Sequence, residues 1–188
     1  MGANIEYQLH KLAGTIDDVG PGFPARRDPA MKSGTVFHRL ISMCISGGKA
    51  ELINVYVPTA IDSWLEPGLV CDLYVVEAEA QVCPSALGGC TADGPICHVF
   101  AIDTGKKCLS TVGEAARYFS ALKRFGVDVV MSWAGLALLV SFVVIGIPFL
   151  IYFGALTLLA MAVPVPSVGE LRSFLGHQGF PVRCGGVA

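Results

Sequence analysis

From Val129 to Gly169 the chain carries no Asp, Glu, Lys, Arg or His, whereas charged residues recur regularly before it. Within that stretch Val129 to Val165 is apolar almost throughout. As one straight helix it would measure about 55 Å at ~1.5 Å per residue, nearly twice the ~30 Å hydrocarbon core of a bilayer. Gly146-Ile147-Pro148 falls near its middle, and a proline both lacks the amide that a helix needs and disfavours helix at the residue before it. The pattern therefore predicts a transmembrane helical hairpin that turns at Gly146 and Pro148, its halves Val129–Gly146 and Pro148–Val165 each about 27 Å long. Arg117, Lys123 and Arg124 precede it and Arg172 and Arg183 follow it, which by the positive-inside bias places both ends in the cytoplasm. A re-entrant wedge and a buried helical hairpin are the other two readings of the same residues.

Thr111-Val112-Gly113-Glu114 and Ser167-Val168-Gly169-Glu170 both match the capping box, in which a hydroxyl and a carboxylate satisfy the free amides of a starting helix. They predict helices over about Val112–Phe125 and Val168–Leu175. Arg117, Lys123 and Arg124 suit the first to a membrane surface, and the second is expected to lie there too.

Before Ser110 the texture changes to short runs rich in Val, Ile, Tyr and Phe, separated by Gly and Pro, as strands are. Ile5–Leu12, Thr35–Ser46, Ala50–Val57, Leu69–Val82 and Ile96–Asp103 are the five candidates. Ser46-Gly47-Gly48-Lys49 reads as a tight hairpin between the second and third, since glycine accepts the positive φ angles such turns demand. Asp17 to Lys32, with Gly20, Pro21, Gly22, Pro24 and Pro29, reads as a long loop. Five short strands in about 100 residues suit a small closed barrel, because closure removes exposed edges. The phrase LEPGLVCDLYVVEAEA, Leu65 to Ala80, resembles the strand that follows a proline-glycine turn in OB-type barrels. Small membrane proteins of the NfeD type join such a barrel to membrane helices, so the resemblance implies that pairing here. An SH3-like barrel fits the strand count as well.

The expected fold class is thus an α+β membrane protein, a small antiparallel β-barrel-like domain, OB- or SH3-like, followed by a transmembrane helical hairpin. The expected division is a β-rich domain over 1–109, an amphipathic linker helix over 110–126, the hairpin over 127–166, and a juxtamembrane helix and tail over 167–188. The expected location is a multi-pass membrane protein with two spans and cytoplasmic termini.

Composition agrees with this local surplus: 53% of the 188 residues are hydrophobic and 15% charged, against a usual charged share of about 25%. The net charge of −2 comes with no basic stripe, which argues against a nucleic-acid partner. Met1 to Tyr7 shows no basic start followed by an apolar core, so a cleavable secretory signal is not expected.

Cys83, Cys90, Cys97 and His98, with Cys108 beyond, form the most suggestive chemical cluster, thiolate and imidazole being preferred zinc ligands. Six-residue gaps are not the paired spacing of zinc knuckles, so free thiols are the plainer reading and disulfides the intermediate one. His38-Arg39 near Cys44 is a second candidate acid–base or thiol site, set against an ordinary strand histidine on a polar face. Gly47-Gly48-Lys49 lacks both the first glycine and the hydroxyl of a phosphate loop. Trp64 reads either as a plug in the barrel end or as an exposed anchor for a partner.

No nucleophile constellation emerges and no ionisable group lies in the apolar stretch, so neither an enzyme, a cofactor nor a transport path is expected. The function these features favour is a membrane-anchored scaffold or adaptor that presents the barrel for protein–protein interaction, its partners the lipid bilayer and either a second protein or further copies of the chain. A membrane-active effector and a cysteine-dependent metal or redox protein are the alternatives.

Overall fold

The computed structural model describes residues 7–24, 34–78, 95–140, 146–162 and 164–181. Among these residues seven strands run in chain order: β1 (Tyr7–Val19), β2 (Gly22–Pro24), β3 (Thr35–Ile45), β4 (Gly48–Pro58), β5 (Val70–Ala78), β6 (Ile96–Asp103) and β7 (Cys108–Ser110). Four helices accompany them among the described residues: α1 (Thr59–Asp62), α2 (Val112–Val140), α3 (Gly146–Ala162) and α4 (Val168–His177).

Five strands close into a barrel in the order β1-β5-β6-β4-β3, with β3 returning to β1. Its pairs are antiparallel except β4 and β6, which run parallel at Val55–Cys97 and Tyr56–His98. The expectation of a purely antiparallel barrel is corrected on that point, and the circuit is a closed five-stranded barrel. Strand β2 adds to the free part of β3, and β7 to the end of β6.

Closure depends on β1 serving two partners. Tyr7 to Thr15 pairs with β5 and Gly14 to Val19 with β3, so the strand must bend where the two ladders overlap. Gly14 stands at that overlap, and a methyl group there would collide with the Cys44 carbonyl oxygen; only glycine lets the two backbones come so near. Part of the segment expected as a loop, Asp17 to Val19, is thus the end of β1. The β3–β4 hairpin turns in two residues, Ser46 and Gly47, with Gly48 at φ 136°.

Alternation in β4 breaks once. Leu52, Val55 and Val57 all belong to the barrel core, a spacing that a regular strand would split between its two faces. Asn54 supplies the break, with φ at 53°, the only non-glycine residue with positive φ among those described. Asparagine tolerates this left-handed conformation better than most residues, and beyond it β4 meets β6.

Two apolar layers result. Inside the barrel lie Ile16, Ile41, Met43, Leu73, Val75, Val99 and Ile102, with Ile61 and Leu65 reaching in from α1 and the turn after it. Outside, Tyr74, Val76, Phe100 and Ala101 are covered by Val112, Ala115, Ala116 and Phe119 of α2 and by Leu171 and Leu175 of α4. Strands β5 and β6 are therefore buried on both faces, which is why their sequences read as nearly continuous apolar runs. The helices expected at a membrane surface pack instead on the barrel. The Ser167–Glu170 capping box forms as expected. Thr111 departs from the pattern: its hydroxyl donates to the Phe100 carbonyl, 3.2 Å away.

The transmembrane hairpin is corrected. Among the described residues no helix is long and apolar enough to cross a membrane. One reason is that the uncharged tail of α2, Val129–Val140, is only about 18 Å long and continues a helix that carries Arg117, Lys123, Arg124 and Asp128. The other is that α3, at 17 residues, measures about 25 Å against a core of ~30 Å. Gly146 and Pro148 belong to the first turn of α3, where a missing proline amide costs no helical bond. The two-span, multi-pass membrane location falls with the hairpin.

Candidate functional site

The cysteine and histidine cluster does not assemble as a ligand set among the described residues. Cys83 and Cys90 lie outside them. Cys97 and His98 are neighbours on β6 and so project to opposite faces of the sheet. Cys97 enters the barrel core, where burial pushes its thiol up to about 12, with Glu77 adding to the effect. His98 goes outward under α2, its ring 5.1 Å from that of Tyr118 and 6.0 Å from that of Phe119. No group of three or more His, Cys, Asp or Glu side chains that could hold a metal ion occurs among the described residues. Cys44, Cys71 and Cys97 are free thiols, and Cys108 is disulfide-bonded, which the free-thiol reading did not anticipate.

His38 is not the surface histidine its strand position implied: it is 4% exposed. Its Nδ1 lies 2.7 Å from the Gly20 carbonyl oxygen and its Nε2 2.6 Å from Asp62 Oδ1. Both neighbours are acceptors, so the ring donates to both when each nitrogen carries a proton. The pair ties β3 to α1 and to the residues after β1, and it engages neither ring nitrogen with Cys44. Trp64 is half-buried, packed against the barrel core, and its backbone N–H donates to the Ile61 carbonyl.

A further polar contact anchors α4. The Glu170 carboxyl is held below its usual range first by the Ser167 backbone amide, then by the Ser167 hydroxyl and Tyr7. Burial raises the Tyr7 phenol, and Glu170 raises it further. This contact joins the start of β1 to the start of α4 and completes one body from the barrel, the first turns of α2, and α4.

What that body does not cover is the pair formed by the end of α2 and α3. The Thr157 hydroxyl donates to the Phe153 carbonyl and lies 3.9 Å from the Met131 sulfur, which places the two helices side by side with opposite directions. Thr157 is buried there, yet Ile151 and Leu158 are each 70% exposed, Tyr152 60%, Met131 53% and Met161 52%. Taking about 200 Å² for a large side chain, these five leave roughly 600 Å² of apolar surface open, the upper end of what a monomer shows. No charged side chain interrupts α3. Sequence reasoning singled out the uncharged stretch but assigned its outer face to lipid, and so did not mark Ile151, Leu158 or Met161 as a contact surface.

No protein family, curated protein or solved structure matches the chain.

Proposed function

We propose that this chain is a scaffold or adaptor that works by protein–protein association, with the barrel, the first turns of α2, and α4 as its rigid body and the outer face of the α2–α3 pair as its contact surface. The observation that carries the reading is the open apolar face of α3, built on a helix already fixed on its other side by α2. Surfaces of that size and composition mark association sites. The membrane-active alternative rested on the spanning hairpin corrected above.

The test is site-specific photo-crosslinking of the full chain in cells that express it. A crosslinking residue in place of Leu158 is expected to give discrete protein adducts. The same residue in place of exposed Arg172 on α4 is the comparison and is expected to give none. Absence of any protein adduct from position 158 would refute the assignment.

A further inference from the structure

The exposed half of α3 has an internal order. At about 100° per residue, Ile151, Ala155, Leu158 and Ala162 fall on one narrow stripe, all four of them exposed. Their spacing of four, three and four residues is the a/d spacing of a coiled-coil seam, and large and small side chains alternate along it. Tyr152 and Met161 flank the stripe, one on each side. Gly154 also lies on the exposed half, and a Cβ built there would meet nothing within 4 Å.

That order is self-complementary in one direction only. Laid antiparallel on a second copy about a twofold axis passing between Ala155 and Leu158, Ile151 faces the partner's Ala162 and Leu158 faces the partner's Ala155. Every large side chain then meets a small one. A parallel twofold pairing would set Ile151 on its own copy and Ala155 on its own copy, alternating crowding with voids. The absence of charge on α3 favours the same occupant, since a charged partner would bring groups with no counter-ion to meet. Covering the open face on both copies buries about 1,200 Å², the lower edge of stable interfaces.

We infer that α3 pairs antiparallel with α3 of a second copy, joining two α2–α3 pairs in a four-helix bundle that holds two barrels together. The inference rests on the association reading given above and names its partner. Isologous contact of this kind is the common form of a homodimer, and antiparallel helix pairs with short connections commonly join as four-helix bundles.

Sedimentation of the purified full chain from about 1 to 200 µM, together with a substitution cycle at positions 155 and 158, tests it. Interfaces of this size support association in the micromolar range, so the chain is expected to move from monomer to dimer within that span. Leu158→Ala and Ala155→Leu each break the large-on-small match and are expected to weaken the dimer at least tenfold. The double variant Ala155→Leu with Leu158→Ala restores the match with the sizes exchanged and is expected to recover most of the affinity. All of these side chains are exposed, and far-UV circular dichroism verifies that each variant keeps the barrel. A dimer strengthened by Ala155→Leu alone would show undirected apolar contact and overturn the pairing. So would a strict monomer at 200 µM, or a monomer that floats with phosphatidylcholine vesicles. If the purified chain stays monomeric while position 158 crosslinks to another protein in cells, the self-pairing falls and the scaffold reading stands.

Discussion

His98 makes the stability of this fold depend on pH in a way that can be isolated. The ring is 1% exposed, lies between the sheet and the Tyr118 and Phe119 rings of α2, and its Nδ1 finds no hydrogen-bond partner among the described residues. Burial lowers its pKa from 6.5 to about 4, an effect that backbone hydrogen bonds at Val99 and His98 offset only in part. The unfolded chain, with a ring near the ordinary value, therefore takes up a proton between pH 6.5 and 4 that the folded chain refuses. Stability is complete above pH 6.5, falls as pH drops through that window, and has lost this contribution below pH 4. A shift of that size corresponds to about 3 kcal/mol, a large share of the ~5–15 kcal/mol that holds a typical domain together.

Urea unfolding followed by near-ultraviolet circular dichroism at pH 7, 6, 5 and 4.5 measures the effect. His98→Leu supplies the reference, because it keeps an apolar side chain of similar size under α2 and removes the titration. Other groups titrate alike in both proteins and cancel in the difference. The wild type is expected to lose roughly 2 to 3 kcal/mol more than His98→Leu between pH 7 and 4.5. Parallel curves for the two proteins would refute the argument that burial under α2 keeps the ring neutral.

Three further outcomes follow from the barrel. Asn54→Val forces a β-branched residue into positive φ and is expected to lower stability by about 1–2 kcal/mol, whereas Asn54→Gly is expected to stay within about 0.5 kcal/mol; thermal unfolding monitored by circular dichroism distinguishes them. His38→Leu removes the ring's contacts with Gly20 and Asp62 and leaves Asp62 facing an apolar side chain, a loss of about 2–3 kcal/mol, and a double-mutant cycle with Asp62→Asn is expected to show about 1 kcal/mol of coupling. Burial raises the thiols of Cys71 and Cys97 to about 11 and about 12, so alkylation at pH 8 mapped by mass spectrometry is expected to mark exposed Cys44 while Cys71 and Cys97 stay unmodified until the chain is unfolded, and Cys108 is expected to react only after reduction.

The contrast between what the sequence disclosed and what it concealed follows from the range of the forces involved. Strand positions were legible because β-branched and aromatic runs broken by glycine and proline report a local preference: each of the five expected strands overlaps an observed one, although β1 runs seven residues beyond its expected end at Leu12 and the short strands β2 and β7 were not expected. The parallel β4–β6 pair was not legible, because it depends on how a long connection returns in space, and no local pattern encodes that. Asn54 carried a faint signal: the interval from Leu52 to Val55 breaks alternation, yet it becomes meaningful only once both are known to face the same core. The apolar stretch misled for a related reason. Hydropathy reports that water is disfavoured around a side chain, and a protein neighbour satisfies that as well as lipid does. The α2 helix shows the difference, since its charged first half and apolar second half form one continuous rod whose beginning is fixed by the outer face of β6. A helix docked on a sheet at one end and paired with α3 at the other has its direction set by those two contacts. The open face of α3 is what the two contacts leave over, and its alternation of large and small residues was present in the sequence as a spacing whose use becomes visible once α2 is known to occupy the opposite side.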